Sequence, residues 1–521
     1  MELVYSTPNF MSMSGENLRI ILGIKLKQLR TEKDLSLKEL SEETDLSISY
    51  LSEIEKGKKY PKPEKIIALA RALGTTFDDL VTLKVDEALD PLTVILNSPM
   101  LREFPFELFG IEQQDIMDLF SASPAKAGAL LKTLLEIIRG YDMSVEQFIL
   151  AALRSYQKLQ HNYFEDLEEA AERFMTEMQW KQKTPMPTEL VKKALTQKYG
   201  YDIDETSLSS FPELQKFRTI FVPAKTSKHG SYPHVKPRLL LNKDLIDRQK
   251  AFIYGRELGY SYLNLRERAL TSSWLKVESF EQVLNNFKAS YFSGALLMNR
   301  HSMVKDMTKL FQKKMWDPSA LVAMLDKYAV TPEMLLYRMT ELLPKFFGLE
   351  ELHFLRFSHR TSTGNMKLTK FLNMSQVFAP YGLDLNEHYC RRWLPIAILK
   401  REQTELAERD PTTPLVVVQR PHFVESNIEY FVITVARRFA LKPLFHSSVS
   451  IGFLMNDAFK EAVKFWNDPN IERITVNETC ERCGLRDDVC RDRVAPPTLY
   501  MKNERQRVRE TSLQKILAGG R

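Results

Sequence analysis

The sequence predicts a multidomain protein that is mainly α-helical, with α/β parts in its C-terminal half. The chain has 521 residues, which is too many for one ordinary hydrophobic core. Amphipathic segments with helix start and stop signals fill the first third of the chain. From about residue 352, apolar runs typical of β-strands alternate with helical segments.

Composition and charge exclude some classes of protein. The net charge of +6 is small for this length, so local clusters of charge indicate partners better than the average does. No apolar run is long enough to span a bilayer, and the first residues lack the charged and apolar regions of a signal peptide. We therefore expect a cytoplasmic protein without a membrane partner, with a disordered tail at 1–16 and a basic tail at 501–521.

Residues 17–85 contain the signals of five short helices. Ser36 and Glu39 form a capping box at the start of the second helix. The third helix is predicted to begin after its N-cap Ser47 and to stop at Gly57. The tight link between these two helices is typical of a helix-turn-helix.

The stretch "LSLKELSEETDLSISYLSEIEKGKKYPKPEKIIALARALGTTFDDL" closely resembles the Xre (lambda repressor-like) DNA-binding family. The resemblance implies that the third helix enters the major groove of double-stranded DNA and that the protein binds as a homodimer or higher homo-oligomer. It also implies an ion pair between Arg30 and Glu55, while Leu37 replaces a glutamine that often contacts the DNA backbone. The implied base contacts come from Ser47, Ile48, Ser49, Tyr50 and Glu53, and the implied phosphate contacts from Lys56, Lys58 and Lys59. A protein-interaction module with a solvated lysine run is the alternative.

Residues 86–182 are predicted to form a helical linker. Its last part, Ser144–Met178, is predicted to be one long helix that acts as a spacer, a dimer element or a buried arm.

Residues 183–345 contain a strand at Arg238–Leu241 and then two helices, "FIYGRELGYSYLNL" and "FEQVLNNFKASYFSGALLM". These segments resemble the ImmA/IrrE metallopeptidase-like domain, whose active members bind zinc through two histidines beside a glutamate. Here Glu257 is kept, but Arg256 and Tyr260 occupy the ligand positions, and neither is a useful zinc ligand near neutral pH. We therefore expect no catalytic residues and no enzymatic activity. The alternatives are an active ImmA-type protease that cleaves a repressor, or an unusual metal site built on His229, His234 or His301.

Residues 346–500 are predicted to form an α/β or α+β sensor domain, for which a GAF-like fold is one candidate. Its strands are expected in "ELHFLRFSH", "TPLVVVQR" and "EYFVITVARRFA", with a helix at Asn456–Trp466.

Four cysteines carry the chemistry of this domain. Cys480 and Cys483 have C-x-x-C spacing in "NETCERCGLRDDVCRDRVAPP", Cys490 follows, and Cys390 lies far upstream in "NEHYCRRWLP". Four thiolates can saturate a tetrahedral zinc ion or a four-iron cluster. The spacing alone does not choose between these metals, and an empty cluster of reduced thiols is also open.

The whole architecture resembles the short-chain fatty acyl-CoA transcriptional regulator family. The matching stretches are "HNYFEDLEEAAERF", "FKASYFSGALLM", "GNMKLTKF", "HYCRRW" and "CERCGLRDDVCRDRVAPP". The resemblance implies a regulator that senses short-chain acyl-CoA, redox state or both, and it favours a 4Fe-4S cluster over structural zinc on the four cysteines. Arg391 and Arg392 depart from the family pattern and could hold a phosphate of coenzyme A. Lys367 and Lys370, at loop-like spacing in "TSTGNMKLTK", give a second, weak phosphate-binding signal.

Overall fold

The structure is a computed structural model, and its described residues form two compact units, 1–152 and 153–521. It describes residues 15–81, 104–111, 115, 129, 133, 134, 136, 137, 140, 143–180, 183–214, 217–224, 236–271, 277, 279–360, 366–375, 387–405, 414–439 and 442–518. Most of the predicted tail at 1–16 and much of the predicted linker at 86–182 lie outside these residues. In the part of the chain that is described, every helix is too short or too polar to serve as a membrane span.

The first unit contains the five helices that the sequence predicts, with local capping as expected. Ser36 and Glu39 form the capping box, and the Ser47 hydroxyl accepts a hydrogen bond from the backbone N–H of Tyr50. Leu26, Leu40, Leu51, Ile54 and Leu69 are fully buried between the helices. The helices are α1 (Gly15–Glu32), α2 (Leu37–Thr44), α3 (Ile48–Glu55), α4 (Pro63–Ala72) and α5 (Phe77–Val81), followed by a 3-10 turn at Phe106–Phe109.

The prediction of one long helix at Ser144–Met178 is wrong. The structure has two helices, α6 (Val145–Leu159) and α7 (Glu165–Glu177), and the chain turns between them. Asn162 has a positive φ of 54° in this turn, a conformation that asparagine tolerates better than most residues. Its buried side chain donates to the Thr340 hydroxyl (3.0 Å) and accepts from Gln157 (2.9 Å). These tertiary hydrogen bonds outweigh the helical propensity of the segment.

The second unit begins with α7, α8 (Thr188–Lys193) and a π-helical turn at Ala194–Lys198. A three-stranded sheet follows, made of β1 (Asp202–Asp204), β2 (Thr219–Val222) and β3 (Arg238–Leu241) in the order β1-β3-β2. The strand predicted at 238–241 is therefore confirmed. Helices α9 (Asp247–Tyr262) and α10 (Phe280–Leu297) complete this layer.

Helices α9 and α10 approach each other closely at a glycine. A Cβ atom at Gly259 would lie 2.9 Å from the backbone oxygen of Ala289, so a side chain there would push the helices apart. The helix that contains Arg256 and Glu257 is thus fixed against its neighbour.

The second unit continues with a six-stranded sheet between two sets of helices. The strand order is β5-β4-β8-β7-β6-β9, antiparallel except for the parallel pair β6–β9. The strands are β4 (Leu352–Arg360), β5 (Met366–Asn373), β6 (Leu415–Phe423), β7 (Ile428–Phe439), β8 (Lys442–Leu454) and β9 (Arg473–Val476). The helices are α11 (Arg300–Phe311), α12 (Pro318–Tyr328), α13 (Pro332–Phe347), α14 (Leu394–Glu405), α15 (Asp457–Ala462) and α16 (Thr498–Leu517).

Three details of the C-terminal region differ from the sequence prediction. The helix expected at Asn456–Trp466 ends at Ala462, with Asn456 as its N-cap. The basic tail at 501–521 is helical as far as Leu517, and no residue of α16 is buried. Lys367 and Lys370 lie on strand β5 and not in a loop.

The predicted boundary between domains 183–345 and 346–500 does not separate two cores. Leu336, Met339 and Leu343 of α13 share one hydrophobic core with Phe354 of β4 and Ile451 of β8. The opposite face of the sheet packs on α14 and the fully buried Trp393. Because one apolar face cannot stay exposed to water, the helices and the sheet form one body.

A buried ion cluster joins three helices of this body. Arg338 of α13 is 1% exposed and binds Glu168 of α7 through two hydrogen bonds (2.6 and 2.8 Å). Its guanidinium also donates to Glu341 (2.9 Å), and Tyr291 of α10 donates to Glu168 (2.8 Å). Burial raises the pKa of Glu341 to about 8 although Arg338 lowers it.

Replacing the buried cation tests how strongly this cluster holds the unit together. Arg338→Met should lower the free energy of unfolding by about 3–5 kcal/mol, because it leaves a buried carboxylate without its partner. Arg173→Met is the matched control, since Arg173 pairs with Glu169 on an exposed face of α7 and such pairs contribute about 0.3–0.5 kcal/mol. Urea unfolding measures both variants, and equal losses would contradict the assigned role.

Candidate functional site

Helix α3 presents the residues that were predicted to contact DNA bases. Ser47, Ile48 and Ser49 are exposed at its N-terminal end, and Ile48 keeps 48% of its surface accessible. Isolated exposed apolar residues are common on protein surfaces. Ile48, however, lies between two exposed serines that are predicted to contact bases in the major groove. Tyr50 is half-buried and packs against the helical core.

The lysines after α3 are not equivalent. Lys58 is exposed, whereas Lys59 forms an ion pair with Glu53 (2.6 Å) that raises the pKa of Lys59. Lys65 of α4 lies 4.1 Å from the centre of the Tyr50 ring, a cation–π contact that sequence reasoning missed. The only available sequence signal was that the basic run continues beyond Lys59. Glu53 was predicted to contact a base and Lys59 to contact a phosphate, but in the structure the two side chains form an ion pair with each other.

The predicted ion pair between Arg30 and Glu55 is present. Arg30 of α1 donates to both carboxylate oxygens of Glu55 at the end of α3 (2.6 and 3.0 Å) and to the backbone oxygen of Leu35 (2.7 Å). The hydrogen bonds that Arg30 donates to Glu55 raise the pKa of Arg30 against the effect of burial. This contact fixes α3 on α1. Leu37, which replaces the family glutamine, packs against the helical core.

Glu257 lies in a buried centre on α9 that holds an arginine. The carboxylate is fully buried, and the guanidinium of Arg268 donates to both of its oxygens (2.9 and 2.6 Å). Arg268 lies between the rings of Phe221 (3.7 Å) and Tyr260 (3.9 Å). Burial lowers the pKa of Arg268, but Glu257 and the two neighbouring tyrosines outweigh it, so the net pKa is raised.

The Arg268 guanidinium supplies the positive charge beside Glu257 that a metal would otherwise supply. Arg256 lies 3.7 Å from Glu257 and donates to the Thr219 hydroxyl (3.3 Å). His301 contacts Glu172 (3.6 Å) and is 73% exposed, so it does not belong to this buried centre. His229 and His234 lie outside the described residues. Sequence reasoning missed Arg268, because nothing in the spacing of the chain marks it as the partner of Glu257.

The structure joins the two segments that carry the cysteines. The backbone N–H of Cys390 donates to Glu478 (3.1 Å), and that of Cys480 donates to His388 (2.8 Å), so the two segments pair across a short antiparallel bridge. Arg493 donates to the backbone oxygen of Cys483 (3.3 Å) and holds the turn after the C-x-x-C pair. The cysteine centre comprises Cys390, Cys480, Cys483 and Cys490, all buried and none in a disulfide.

The donor chemistry of the cysteine centre suits a thiolate-binding metal. Burial raises the pKa of Cys390, and a neighbouring Cys483 thiolate adds to it. The pKa of Cys490 is raised by burial and by Cys390 and Cys483, so these three thiols lie within electrostatic reach of one another. Within the described ranges, however, no three Cys, His, Asp or Glu side chains stand close enough to hold a metal ion as they are arranged.

The four cations predicted to bind phosphate do not form one site. Lys367 and Lys370 of β5 lie on the face of the sheet that packs against α13. Their partners on β4 are Ser358 and Arg356. Arg391 contacts the sulfur of Met366 (2.9 Å), which lies on the opposite face of β5. Arg392 donates to the backbone oxygen of Val489 (3.3 Å) next to Cys490.

Comparison with known proteins identifies a helix-turn-helix within the first unit. Residues 26–80 match the family model described as Helix-turn-helix, and this match supports a DNA-binding transcriptional regulator. A solved structure described as "Mycobacterium tuberculosis transcriptional regulator" is 18% identical, with a TM-score of 0.41, over 66% of this chain and 92% of that chain. Similarity at this level carries no argument about fold or function. No curated protein matches the chain.

Phosphate contacts by the lysine run can be tested on non-specific double-stranded DNA. Lys58→Gln should weaken binding uniformly across sequences and reduce the slope of log affinity against log salt by about one. Arg71→Gln removes an exposed cation from α4, outside the predicted contact residues, and should bind like the unchanged protein. Fluorescence anisotropy over a salt series measures both, and an unchanged slope for Lys58→Gln would remove Lys58 from the interface.

Proposed function

We propose that the chain is a transcriptional regulator of the short-chain fatty acyl-CoA regulator type, which binds operator DNA as a homodimer or higher homo-oligomer through α3. Its second unit senses acyl-CoA, redox state or both. The observation that carries this proposal is the cysteine centre, where two distant segments joined by backbone hydrogen bonds carry four buried cysteines that form no disulfide, in a chain with a helix-turn-helix head. The acyl-CoA effector is supported by the resemblance in sequence.

In this proposal the cysteine centre holds a 4Fe-4S cluster, and structural zinc is the alternative. A cluster would supply one-electron redox chemistry. The protein's own contribution is to close a long loop, because Cys390 lies on a different segment from the other three cysteines. Arg493 donates to the backbone oxygen of Cys483 and Arg392 to that of Val489, and both hydrogen bonds help to hold the segment that carries Cys483 and Cys490.

The proposal includes no enzymatic activity. In an active zinc peptidase the glutamate beside the first histidine must reach a metal-bound water. Here both oxygens of Glu257 accept hydrogen bonds from Arg268, and aromatic rings cover the guanidinium on two sides. This arrangement supports a structural role for the helix, in place of hydrolysis. The sheet with helices on both faces is the framework in which we propose a GAF-like sensor.

Metal content tests the cysteine centre. Protein purified without oxygen should contain about four irons and four sulfides per chain and show broad absorption that bleaches in air. Cys390→Ala should lose the cluster although the other three cysteines remain. Thr479→Ala is the control, because it removes a hydroxyl that donates to Glu387 across the same two bridged segments and leaves every thiol in place.

Operator binding completes this test. If the cluster senses redox state, oxidation should change the affinity of the unchanged protein and leave that of Cys390→Ala the same. Stoichiometric zinc without colour would replace the redox proposal with a zinc-stabilised regulator. Protein that folds and binds its operator with no metal at all would overturn a metal site on these cysteines.

A further inference from the structure

Helix α16 (Thr498–Leu517) is fixed to the second unit at its first turn. The backbone N–H groups of Leu499 and Tyr500 both donate to the backbone oxygen of Glu481 (3.0 Å each). Beyond Tyr500 none of the described residues of the helix is buried, over a length of roughly 25 Å. Helices in proteins owe most of their stability to tertiary packing, so a helix that covers nothing is expected to have a partner.

Contacts within α16 do not replace such a partner. Glu504 forms an ion pair with Arg507 (2.7 Å), and Gln506 donates a hydrogen bond to Glu510 (2.9 Å). Pairs of this kind on a solvated helix stabilise it only slightly. The helix also exposes large apolar side chains, among them Ile516 with 69% of its surface accessible.

The exposed part of α16 is strongly basic. The helix contains five Lys or Arg residues and two Glu residues. At about 100° of rotation per residue, Lys502, Arg505 and Arg509 fall within an arc of about 60°, and all three are exposed. We call these three residues the basic stripe. In the part of the chain that the structure describes, no carboxylate forms an ion pair with the stripe, and Arg505 donates only to the backbone oxygen of Met501 in its own helix (3.2 Å).

The sequence of α16 does not suit a second copy of the same helix. A coiled coil needs apolar residues at alternating spacings of three and four. A seven-residue repeat that starts at Met501 continues with Val508 and then meets Lys515, and the positions three residues after the first two are Glu504 and Thr511. Two such helices would also bring like charges together.

A membrane surface does not fit α16 either. A helix that lies on a membrane separates an apolar face from a charged one. In α16, Ile516 falls within the arc of the basic stripe, so the cations interrupt the side on which an apolar face would have to lie. The partner must therefore attract positive charge without requiring a continuous apolar face.

We propose that the basic stripe of α16 contacts phosphates of double-stranded DNA, as a second DNA-binding element besides α3. Double-stranded DNA carries one negative charge per about 1.7 Å of its axis, and its backbone demands no apolar face. The cations of the stripe follow one another at about 4.5 and 6 Å along the helix, so each can reach a separate phosphate. Arginine forks bind phosphate oxygens in pairs, and lysine adds a point charge. The inference rests on the proposed function in that the chain must bind DNA.

The anchor of α16 gives this contact a connection to the cysteine centre. Glu481, whose backbone oxygen holds the first turn of the helix, lies between Cys480 and Cys483. A change in the conformation of the C-x-x-C turn therefore acts directly on the position of α16. In this way the second unit contributes to DNA binding through its own residues.

The experiment measures the binding of full-length protein to non-specific double-stranded DNA by fluorescence anisotropy over a salt series. Arg509→Gln should weaken binding and reduce the slope of log affinity against log salt by about one, because one phosphate contact is lost. Arg507→Gln is the matched control: it removes the same charge from the same helix, but on the side away from the stripe, and the slope should not change. Both variants should melt at the same temperature as the unchanged protein, because both side chains are exposed.

Lys58→Gln in the first unit separates this inference from the proposed function. If Lys58→Gln reduces the slope while Arg509→Gln behaves like Arg507→Gln, α3 binds DNA and the inference about α16 is overturned alone. If Arg509→Gln reduces the slope and Lys58→Gln does not, the stripe is supported and the predicted phosphate contact of Lys58 is contradicted. Unchanged protein that binds no DNA at all would overturn both.

Two further measurements examine the other partners of α16. Sedimentation equilibrium without DNA should give the same oligomeric state for Arg509→Gln and the unchanged protein, and a smaller assembly in the variant would make α16 an interface between copies and overturn the inference. Vesicles of phosphatidylserine should not bind the unchanged protein. Vesicle binding that Arg509→Gln loses, with an unchanged salt slope on DNA, would overturn it in favour of a membrane contact.

Discussion

The buried guanidinium of Arg338 is the contact on which the second unit depends. It fixes α13 against α7 through Glu168, and Tyr291 of α10 binds the same carboxylate. A charge removed from water is costly unless it is paired, so these helices can pack in few other ways. With α13 held in this position, its apolar side meets the sheet, and its first turn brings Glu333 to Arg356. The shared core and the contact between α13 and the sheet follow from one orientation of one helix.

The two faces of the six-stranded sheet contact different groups of residues. Arg356 and Lys370 lie beside Glu333 of α13 on one face of the sheet, while Cys390 packs with Trp393 on the opposite face. A ligand on one face of the sheet can influence the other face only if it binds two conformations of the sheet with different affinity. Because both faces of the sheet are closely packed, a change in the conformation of the sheet would affect the residues on both faces. Glu257 and Arg268 contribute rigidity, since the stacked guanidinium fixes α9 against β2.

The parts of the fold that follow from local signals could be predicted from the sequence. The five N-terminal helices are set by caps such as Ser36 and Ser47, which act within a few residues, and the strand at 238–241 by a short apolar run. The turn at Asn162 could not be predicted, because its hydrogen bond to Thr340 spans a long stretch of chain. The shared core escaped prediction for the same reason, since an apolar face does not reveal which element covers it. The grouping of three cysteines was visible in their spacing, whereas the contacts of Glu333 with Arg356 and Lys370 join single residues from distant elements.

The central claim is that helices 247–347 and the six-stranded sheet fold as one cooperative body. Hydrogen exchange followed by mass spectrometry, at increasing denaturant below the unfolding transition, tests it without any substitution. The opening free energies of α10 (Phe280–Leu297) and β8 (Lys442–Leu454) should coincide and fall with denaturant at the same rate. If the strands of the sheet exchange completely at a concentration where α10 stays protected, or the reverse, the second unit is two domains and the account is wrong.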